Sequence, residues 1–425
     1  MSGAYNGCQA LISREQPLAS YVHCSAHCTN LAACAVCASS VMVRDSVQSV
    51  NDFGVLCSAS GNLKSLFAKI AVSESDCQST GPVRNIKPLC PTRWLVRVRA
   101  ISATLDQYAL ILQTLEEAKS TCSPEVSVRA SGLLTKFQDP TTLLGLNIAQ
   151  VVLSALESLN RSLQSARMTV AGMLEAARAV KYQLQEMRQD GKFNELLIKV
   201  ERQVKELDLK PLSVPRARQP PARFCGSSEP FHTKSVEVHY RIEYFKLLDV
   251  AIQQLDDRLL DCPGLARYCE LEAILVSGQI NEKVSRLYPE LTSDGRSFQT
   301  QMDMFHSLPE IARSPTSPNL EVCTSVLRNM TPAMRAMFPH VESLVRLLLV
   351  NPASSATAER SFSSLRRLKT YLRSTCGQQR LNSIALCHVH KDIIDDIDVD
   401  EIMKEFILSR DNRATIFGHI VTKAN

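Results

Sequence analysis

Apolar residues recur at helical spacing along much of the chain. The clearest runs are Leu105, Tyr108, Leu112 and Leu115, and then Leu153, Leu156, Leu159 and Leu163. Steps of three and four residues place side chains on one face of an α-helix. Residues 101–209 show no alternating strand pattern, so this part of the chain is predicted to be strongly helical.

Two breaks divide the helical pattern. The stretch 210–224 holds four prolines and four basic residues, a composition that excludes a regular helix or a central strand. We therefore predict an exposed loop over 210–235. Helical spacing resumes at 236–275, is broken again by the two prolines of 314–320, and then continues to about residue 392.

The stretch NPASSATAERSFSSLRRLKTYLRS, at 351–374, joins small residues to an amphipathic pattern. Pro352 ends the apolar run before it, and Ser354 or Ser355 can cap a new helix. One face of that helix carries Ala358, Phe362, Leu365, Leu368 and Leu372. We expect this apolar face to pack inward.

Glu359 lies beside that face, among small side chains. Small neighbours leave room for a metal ion or a phosphate group to approach the carboxylate. The other interpretation is a glutamate that the helix macrodipole favours near a helix N-terminus. The side of the segment that is predicted to face solvent carries Arg360, Arg366, Arg367, Lys369 and Arg373. From 351 to 391 there are seven lysines or arginines and one acid, which makes a charge of +6; by pattern alone this is a solvated basic face.

Composition limits the function classes. A chain of 425 residues can hold two or three domains, and its net charge of +5 permits contact with nucleic acid without requiring it. Fifteen irregularly spaced cysteines without a signal peptide predict a soluble intracellular protein with reduced thiols. The apolar block 343–350 is too short to span a bilayer, and phosphate-binding and hydrolase motifs are absent. We therefore expect neither a membrane nor a small-molecule substrate as partner.

A group of potential metal ligands lies near the N-terminus: His23, Cys24, His27, Cys28, Cys34 and Cys37. Structural zinc usually takes paired ligands separated by a loop, whereas these residues fall on one predicted helix. Core packing is the preferred interpretation, zinc is the alternative, and we expect no metal site.

Trp94, the one tryptophan, is either a core anchor or an indole that stacks on a base. The acidic stretch 393–401 is predicted to be a solvated helix start.

Three stretches together resemble the hAT superfamily of DNA transposases. The C-terminal one, NPASSATAERSFSSLRRLKTYLRSTCGQQRLNSIALCHVHKD, looks like the dimerisation segment of that family. Within that family, the segment most resembles the domesticated or animal forms. These are related to zinc finger MYM-type proteins and to the repressor-of-the-inhibitor-of-protein-kinase group. YVHCSAHCTNLA, at 21–32, is similar to the Cys-x-x-His helix of the family. CPTRWLVRVRAI, at 90–101, is similar to its Thr-Arg-Trp element, here Thr92, Arg93 and Trp94.

The resemblance implies a mainly α fold, in which a large helical insertion interrupts an incomplete RNase H-like α/β core. Four parts are implied along the chain. They are a remnant of the RNase H-like core at 1–100, the helical insertion at 101–330 with its proline-rich loop at 210–235, the hAT dimerisation segment at 331–395, and a tail at 396–425.

The resemblance also implies a catalytic history. Catalysis in the family uses two aspartates and one glutamate around divalent metal, a ligand set that suits Mg²⁺. Glu359 matches that glutamate. Met1, Ser2 and Gly3 look like the tail of the element that holds the second aspartate. Of the three catalytic carboxylates we expect only the glutamate, Glu359, in this chain, since the sequence begins just after the second aspartate. One carboxylate cannot hold two metal ions, so we expect no enzymatic activity and no cofactor. The alternative is a fragment or truncated gene model of an active cut-and-paste transposase.

The partners implied by the resemblance are a second copy of the chain and DNA. Self-association would use Phe362, Leu365, Leu368, Leu372, Leu381 and Ile384. DNA contact would use Arg93, Trp94, Arg366, Arg367, Lys369 and Arg373. A protein of this family is expected in the nucleus, and otherwise in the cytoplasm.

Overall fold

The fold is mainly α-helical. The structure is a computed structural model that describes residues 7–19, 21–75, 86, 88–89, 96–165, 168–215, 235–280, 282–292, 295–312, 319–351, 353–370 and 375–418. Within these ranges 81% of the residues are helical and none lies in a β-strand. The predicted mainly α class is therefore confirmed, whereas an RNase H-like core is not confirmed in this part of the chain.

The described residues form two compact units, Met1–Ser355 (the N-terminal unit) and Ala356–Asn425 (the C-terminal unit). The helices of the N-terminal unit are α1 Cys8–Glu15, α2 Ser25–Ser39, α3 Val41–Ala59, α4 Gly61–Ser75, α5 Val96–Asp106, α6 Tyr108–Thr121, α7 Pro124–Phe137, α8 Pro140–Ser162, α9 Val170–Met187, α10 Asp190–Glu206, α11 Val236–Leu255 with a π-helical turn Asp256–Leu260, α12 Pro263–Ser277, α13 Glu282–Leu287, α14 Pro289–Thr292, α15 Gly295–His306, α16 Pro309–Ala312, α17 Leu320–Asn329, α18 Pro332–Arg335 and α19 Pro339–Leu349. Those of the C-terminal unit are α20 Ala356–Leu368, α21 Gln378–Val389, α22 Lys391–Asp395, α23 Val399–Leu408 and α24 Asp411–Phe417.

Helix α8 is the centre of the N-terminal unit. Asp139 caps it by accepting a hydrogen bond from the Thr141 backbone N–H over 2.9 Å, and Pro140 occupies its first turn, where no backbone donor is needed. Sixteen of its 23 residues are buried, against α2, α3, α5, α9 and α10. By length and hydropathy α8 could cross a membrane, but 78% of its most apolar window is buried inside the protein, as in the core helix of a globular protein.

An aromatic cluster joins the helices before residue 100 to those after it. Phe53 of α3 packs edge to face on Phe67 of α4 and Phe137 of α7, at 5.8 and 6.3 Å between ring centroids. Tyr108 packs on Phe137 at 5.5 Å and donates its hydroxyl to the Phe137 carbonyl over 2.7 Å. Helices on both sides of residue 100 thus share one hydrophobic core, and the domain boundaries predicted from the sequence stay predictions.

The proline-rich loop is described only at its edges. Its residues 216–234 lie outside the described part of the chain, so the predicted loop over 210–235 stays a prediction. On its N-terminal side, the Ser213 carbonyl accepts a hydrogen bond from the Tyr240 hydroxyl of α11 over 2.8 Å. Tyr240 is buried, so this bond fixes the start of the loop against α11.

Helix α19 fills the C-terminal end of the N-terminal unit. Its apolar face, Val341, Leu344, Val345 and Leu348, is buried, and the helix packs on α12, α15 and α17. Glu342 on the other face accepts hydrogen bonds from Arg335 and Arg346, each with a closest distance of 2.6 Å. The Arg335 bond holds the pKa of the Glu342 carboxyl below its usual range. The buried face of α19 is therefore used within its own unit.

At Gly145 the backbone of α8 lies close to Ser46 of α3. A Cβ added at Gly145 would lie 2.4 Å from Ser46 Oγ and 3.1 Å from Ser46 Cβ, whereas one at Gly132 of α7 meets nothing within 4 Å. We expect Gly145→Ala to destabilise the protein by about 1–3 kcal/mol through overpacking. Gly132→Ala should stabilise it by about 0.5–1 kcal/mol because alanine favours the helix. Urea unfolding of both variants measures the difference.

The serine supplies the internal check on this prediction. Adding Ser46→Ala removes the hydroxyl that a Cβ at position 145 would strike, so the double variant should recover part of the stability lost in Gly145→Ala. Equal stability of Gly145→Ala and the unchanged protein would show that α3 and α8 do not pack this closely.

Candidate functional site

The N-terminus of α2 is bonded to the segment that leads into α20. The Ser25 backbone N–H donates to the Ala353 carbonyl over 3.3 Å, and the Ser355 backbone N–H donates to Cys24 Sγ over 3.3 Å. Cys24 Sγ also lies 3.6 Å from Ser354 Oγ. Two of the three stretches that carry the family resemblance, 330 residues apart in sequence, therefore meet at one place.

The third stretch leads to the same helix. Its central residues Thr92, Arg93 and Trp94 lie outside the described residues. Helix α5, which begins at Val96 directly after them, sends the Arg97 guanidinium to Cys34 Sγ of α2 over 3.2 Å. Helix α2 and the residue before it are thus contacted by residues of both other stretches.

A small polar cavity lies between α2, α5 and α8. Its volume is about 20 Å³, and its lining includes Asn30, Arg97, Glu157 and Asn160. Asn160 Oδ1 is buried without a hydrogen-bond partner among the described residues. A volume of this size accommodates one water molecule, so the cavity is suited to a structural water that bonds Asn160, and not to a ligand.

The cysteine and histidine group on α2 is dispersed. Cys28 is buried in the core with 4% exposure, and Cys24 and Cys37 pack against the core from its edge, which agrees with the core-packing interpretation. His23 and His27 are exposed. In the described part of the chain no group of three or more His, Cys, Asp or Glu side chains is placed to hold a metal ion.

Glu359, the predicted catalytic carboxylate, and some of the residues predicted to act near it fall outside the described side chains. Helix α20 begins at Ala356, directly after the two serines predicted to cap it. Glu359 lies in its first turn, but its side chain is not part of the described structure, and neither Leu372 nor Arg373 is described. The described cations at the end of α20, Arg366, Arg367 and Lys369, are all exposed.

The apolar face of α20 is open to solvent. Phe362 is 69% exposed and Leu365 is 38% exposed, while Leu368 is half-buried. The predicted inward packing of this face is therefore wrong for Phe362 and Leu365. Periodicity identifies which side of a helix is apolar, but it does not show whether the rest of the chain supplies a surface to cover that side.

Helix α21 packs on α20 within the C-terminal unit. Leu381 is 7% exposed and Ile384 is half-buried, whereas Leu386 and Val389 on the same helix are exposed. Of the residues proposed for self-association, Leu381 is thus enclosed by its own unit, and the free apolar surface of α21 lies on residues that were not singled out from the sequence.

The tail beyond α22 is a pair of helices. Asp398 caps α23 by accepting from the Asp400 backbone N–H over 2.9 Å, as the predicted acidic helix start requires. Arg413 of α24 lies 3.9 Å from the Phe406 ring centroid and donates to the Phe406 carbonyl over 3.2 Å. The exposed apolar residues of α23 are Val399, Ile402, Met403, Phe406 and Leu408. Sequence reasoning missed them, although four recur at helical spacing among acids.

The N-terminal unit has its own cleft, of about 1110 Å³, lined by apolar side chains, two exposed or half-buried tyrosines and three arginines. Two of the arginines form ion pairs, Arg286 with Glu282 and Arg346 with Glu342, each at 2.6 Å. Arg267 donates to the Leu18 carbonyl over 2.8 Å. These bonds are internal to the unit, and they occupy donors of all three arginines.

Comparison with known proteins identifies the C-terminal helices. Residues 332–393 match the family model described as the hAT family C-terminal dimerisation region. This segment is therefore similar to the dimerisation region of the hAT family. The match runs from α18 to α22 and ends before α23, and it confirms the resemblance read from the C-terminal motif.

A human relative supports the same assignment. The 52 kDa repressor of the inhibitor of the protein kinase is 35% identical to this chain over 85 residues. The matched stretch covers 19% of this chain and 11% of the human protein. No solved structure matches the chain. The hAT-derived group named by the resemblance is thus confirmed, and the activity of the whole relative is not transferred by so short a match.

Thiol reactivity distinguishes core packing from metal binding on and near α2. Burial raises the pKa of Cys28 and Cys37 to about 11, and that of Cys57 to about 12. At pH 8 a thiol of pKa 11 is only about one part in a thousand thiolate, the reactive form. We expect iodoacetamide to label exposed Cys8 and Cys387 at least tenfold faster than these three, as measured by peptide mass spectrometry.

The rate at the buried thiols should rise as the pH approaches 11 and should not change when a chelator is added. Labelling of Cys24, Cys28, Cys34 or Cys37 that is accelerated by a chelator at constant pH would support the zinc alternative instead.

Proposed function

We propose that this protein is transposase-derived and acts through self-association of its C-terminal unit. The observation that carries the proposal is the exposed apolar surface of α20, α21 and α23 in and beside the segment that matches a dimerisation region. Fully burying one leucine or phenylalanine is worth about 1.5–3 kcal/mol. A handful of such residues offsets an association cost of roughly 4–15 kcal/mol, so a homodimer is the simplest cover for this surface.

We also propose that the protein does not catalyse DNA cleavage or joining. The support is that the family match covers a dimerisation region, and that the name of the human relative is that of a repressor. Glu359 would then be the trace of a catalytic position, with Mg²⁺ expected only in a complete active relative. The alternative, part of an active cut-and-paste transposase, would join terminal-inverted-repeat DNA once the remaining carboxylates were supplied.

DNA contact is a second proposed capability, and with it a nuclear location. Its support is the group of Arg366, Arg367 and Lys369 at the end of α20. All three are exposed, and no carboxylate of the described residues forms an ion pair with them. Unpaired surface cations attract phosphate groups and release the counterions of DNA.

Self-association is tested by mass in solution. We expect light scattering at micromolar concentration to give a dimer for the full chain and a monomer for a chain ending at Ser355. Phe362→Asp with Leu365→Asp should weaken the dimer by at least about tenfold, because two charges would have to be buried in an apolar contact. Ser363→Asp, on the opposite side of α20, is the control and should leave the dimer unchanged.

A monomeric full chain would defeat this proposal. A dimer that persists in the chain ending at Ser355 would place the interface in the N-terminal unit instead.

The DNA proposal is tested by salt dependence. Arg367 projects from α20 away from Phe362 and Leu365, by its helical position, so Arg367→Gln should leave the dimer intact. We expect the variant to bind duplex DNA of any sequence more weakly, and the slope of log affinity against log salt to fall by about one. Fluorescence anisotropy at several salt concentrations measures both quantities. Affinity and slope equal to those of the unchanged protein would remove Arg367 from the DNA contact.

A further inference from the structure

Two helices of the C-terminal unit carry exposed apolar faces, and the charged residues beside the two faces have opposite signs. On α20, Phe362 and Leu365 form the apolar face, and Arg366 and Lys369 lie beside it by helical position. The segment 356–370 holds four cations and one acid, a net charge of +3. This face is therefore apolar at its centre and basic at its edge.

The second helix, α23, has the reverse arrangement. Val399, Ile402, Met403 and Phe406 recur at steps of three, one and three residues and are all exposed, so they form one face. Asp398 and Glu405, two turns apart, lie on one flank of this face by helical position and are also exposed. The segment 391–408 holds seven carboxylates and two lysines, a net charge of −5.

We propose that the dimer is formed by α20 of one copy packing on α23 of the other, twice about a two-fold axis. This inference rests on the proposed self-association and assigns its contacts. A two-fold interface uses the same surface of both copies, so each copy offers one basic and one acidic apolar helix. The apolar face of each helix is then covered, and Arg366 and Lys369 meet Asp398 and Glu405.

The second copy is the occupant that the charges favour. Two copies of α20 facing each other would bring like charges together, and so would two copies of α23, which costs free energy at close range. Pairing α20 with α23 is attractive at both contacts. The helix α23 lies beyond the segment that matches the family model, so this pairing extends the interface past the recognised dimerisation region.

The same two helices could instead pair within one chain. No ion pair between α20 and α23 exists among the described residues of the C-terminal unit, and the apolar residues named on both helices are exposed. The structure thus leaves the surface of each helix free for a second molecule. An experiment that mixes two variants separates the two arrangements.

The test reverses the charge of each helix in the full chain. One variant carries Arg366→Glu and Lys369→Glu, and the other carries Asp398→Lys and Glu405→Lys. Alone, each variant would bring like charges together at both contacts, so we expect its dimer dissociation constant to rise by about tenfold or more. An equimolar mixture restores opposite charges at both contacts. The mixture should therefore form a heterodimer. A single chain that carries all four changes should likewise form a homodimer.

Native mass spectrometry with one variant isotopically labelled identifies the heterodimer, and circular dichroism confirms that each variant keeps its helices. Arg367→Glu with Arg380→Glu is the control, because it changes the net charge equally away from the α20 apolar face and should dimerise normally. The unchanged dimer should also weaken as salt is added, since salt screens exposed charges.

The outcomes separate this inference from the proposed function. A monomeric unchanged protein would defeat self-association itself. Variants that dimerise as tightly as the unchanged protein would defeat the α20–α23 pairing while leaving self-association intact. Variants that dissociate alone, and stay monomeric when mixed, would also overturn it, because the charges would then act within one chain.

Discussion

The removal of apolar side chains from water governs this molecule, and α8 shows how the N-terminal unit achieves it. Its 23 residues run through the centre of the unit, and α2, α3, α5, α9 and α10 each cover part of it. The close approach at Gly145 brings α3 within van der Waals contact of the α8 backbone. Helices from both ends of the unit therefore depend on one buried helix, and no separate core is needed on either side of residue 100.

The C-terminal unit obeys the same constraint differently. Its five helices are short, and a short helix pair cannot enclose its own apolar side chains. Leu381 and Ile407 are buried, but Phe362, Ile402 and Phe406 are at least 48% exposed. A surface of this kind on a monomer is an interaction surface or an aggregation hazard. The acids of α23 and the cations of α20 favour the first, because they restrict which surfaces can meet.

The sequence allowed the local structure to be predicted better than the contacts. The helical spacing after residue 101 corresponds to α5 through α10, and the serines before Ala356 and the acids before Val399 marked two helix starts correctly. Helix α2 was anticipated around its cysteines and histidines, whereas α3 and α4 were not, because their interspersed serines and glycines obscure the apolar face. The bonds between Cys24 and the residues before α20 join positions 330 apart, and no local pattern encodes such a distance. Phe362 is exposed because no other described residues cover it. A helical pattern cannot show whether such a covering surface exists.

The contact between the two motifs gives the small residues before α20 a structural role. Ala353 is buried, and the backbone groups of Ser25 and Ser355 are satisfied by bonds across the two motifs. Buried backbone donors and acceptors that lose their partners destabilise a protein. Ala353, Ser354 and Ser355 therefore hold this segment against the start of α2. The contact between these two motifs can thus be explained by backbone hydrogen bonding and packing alone.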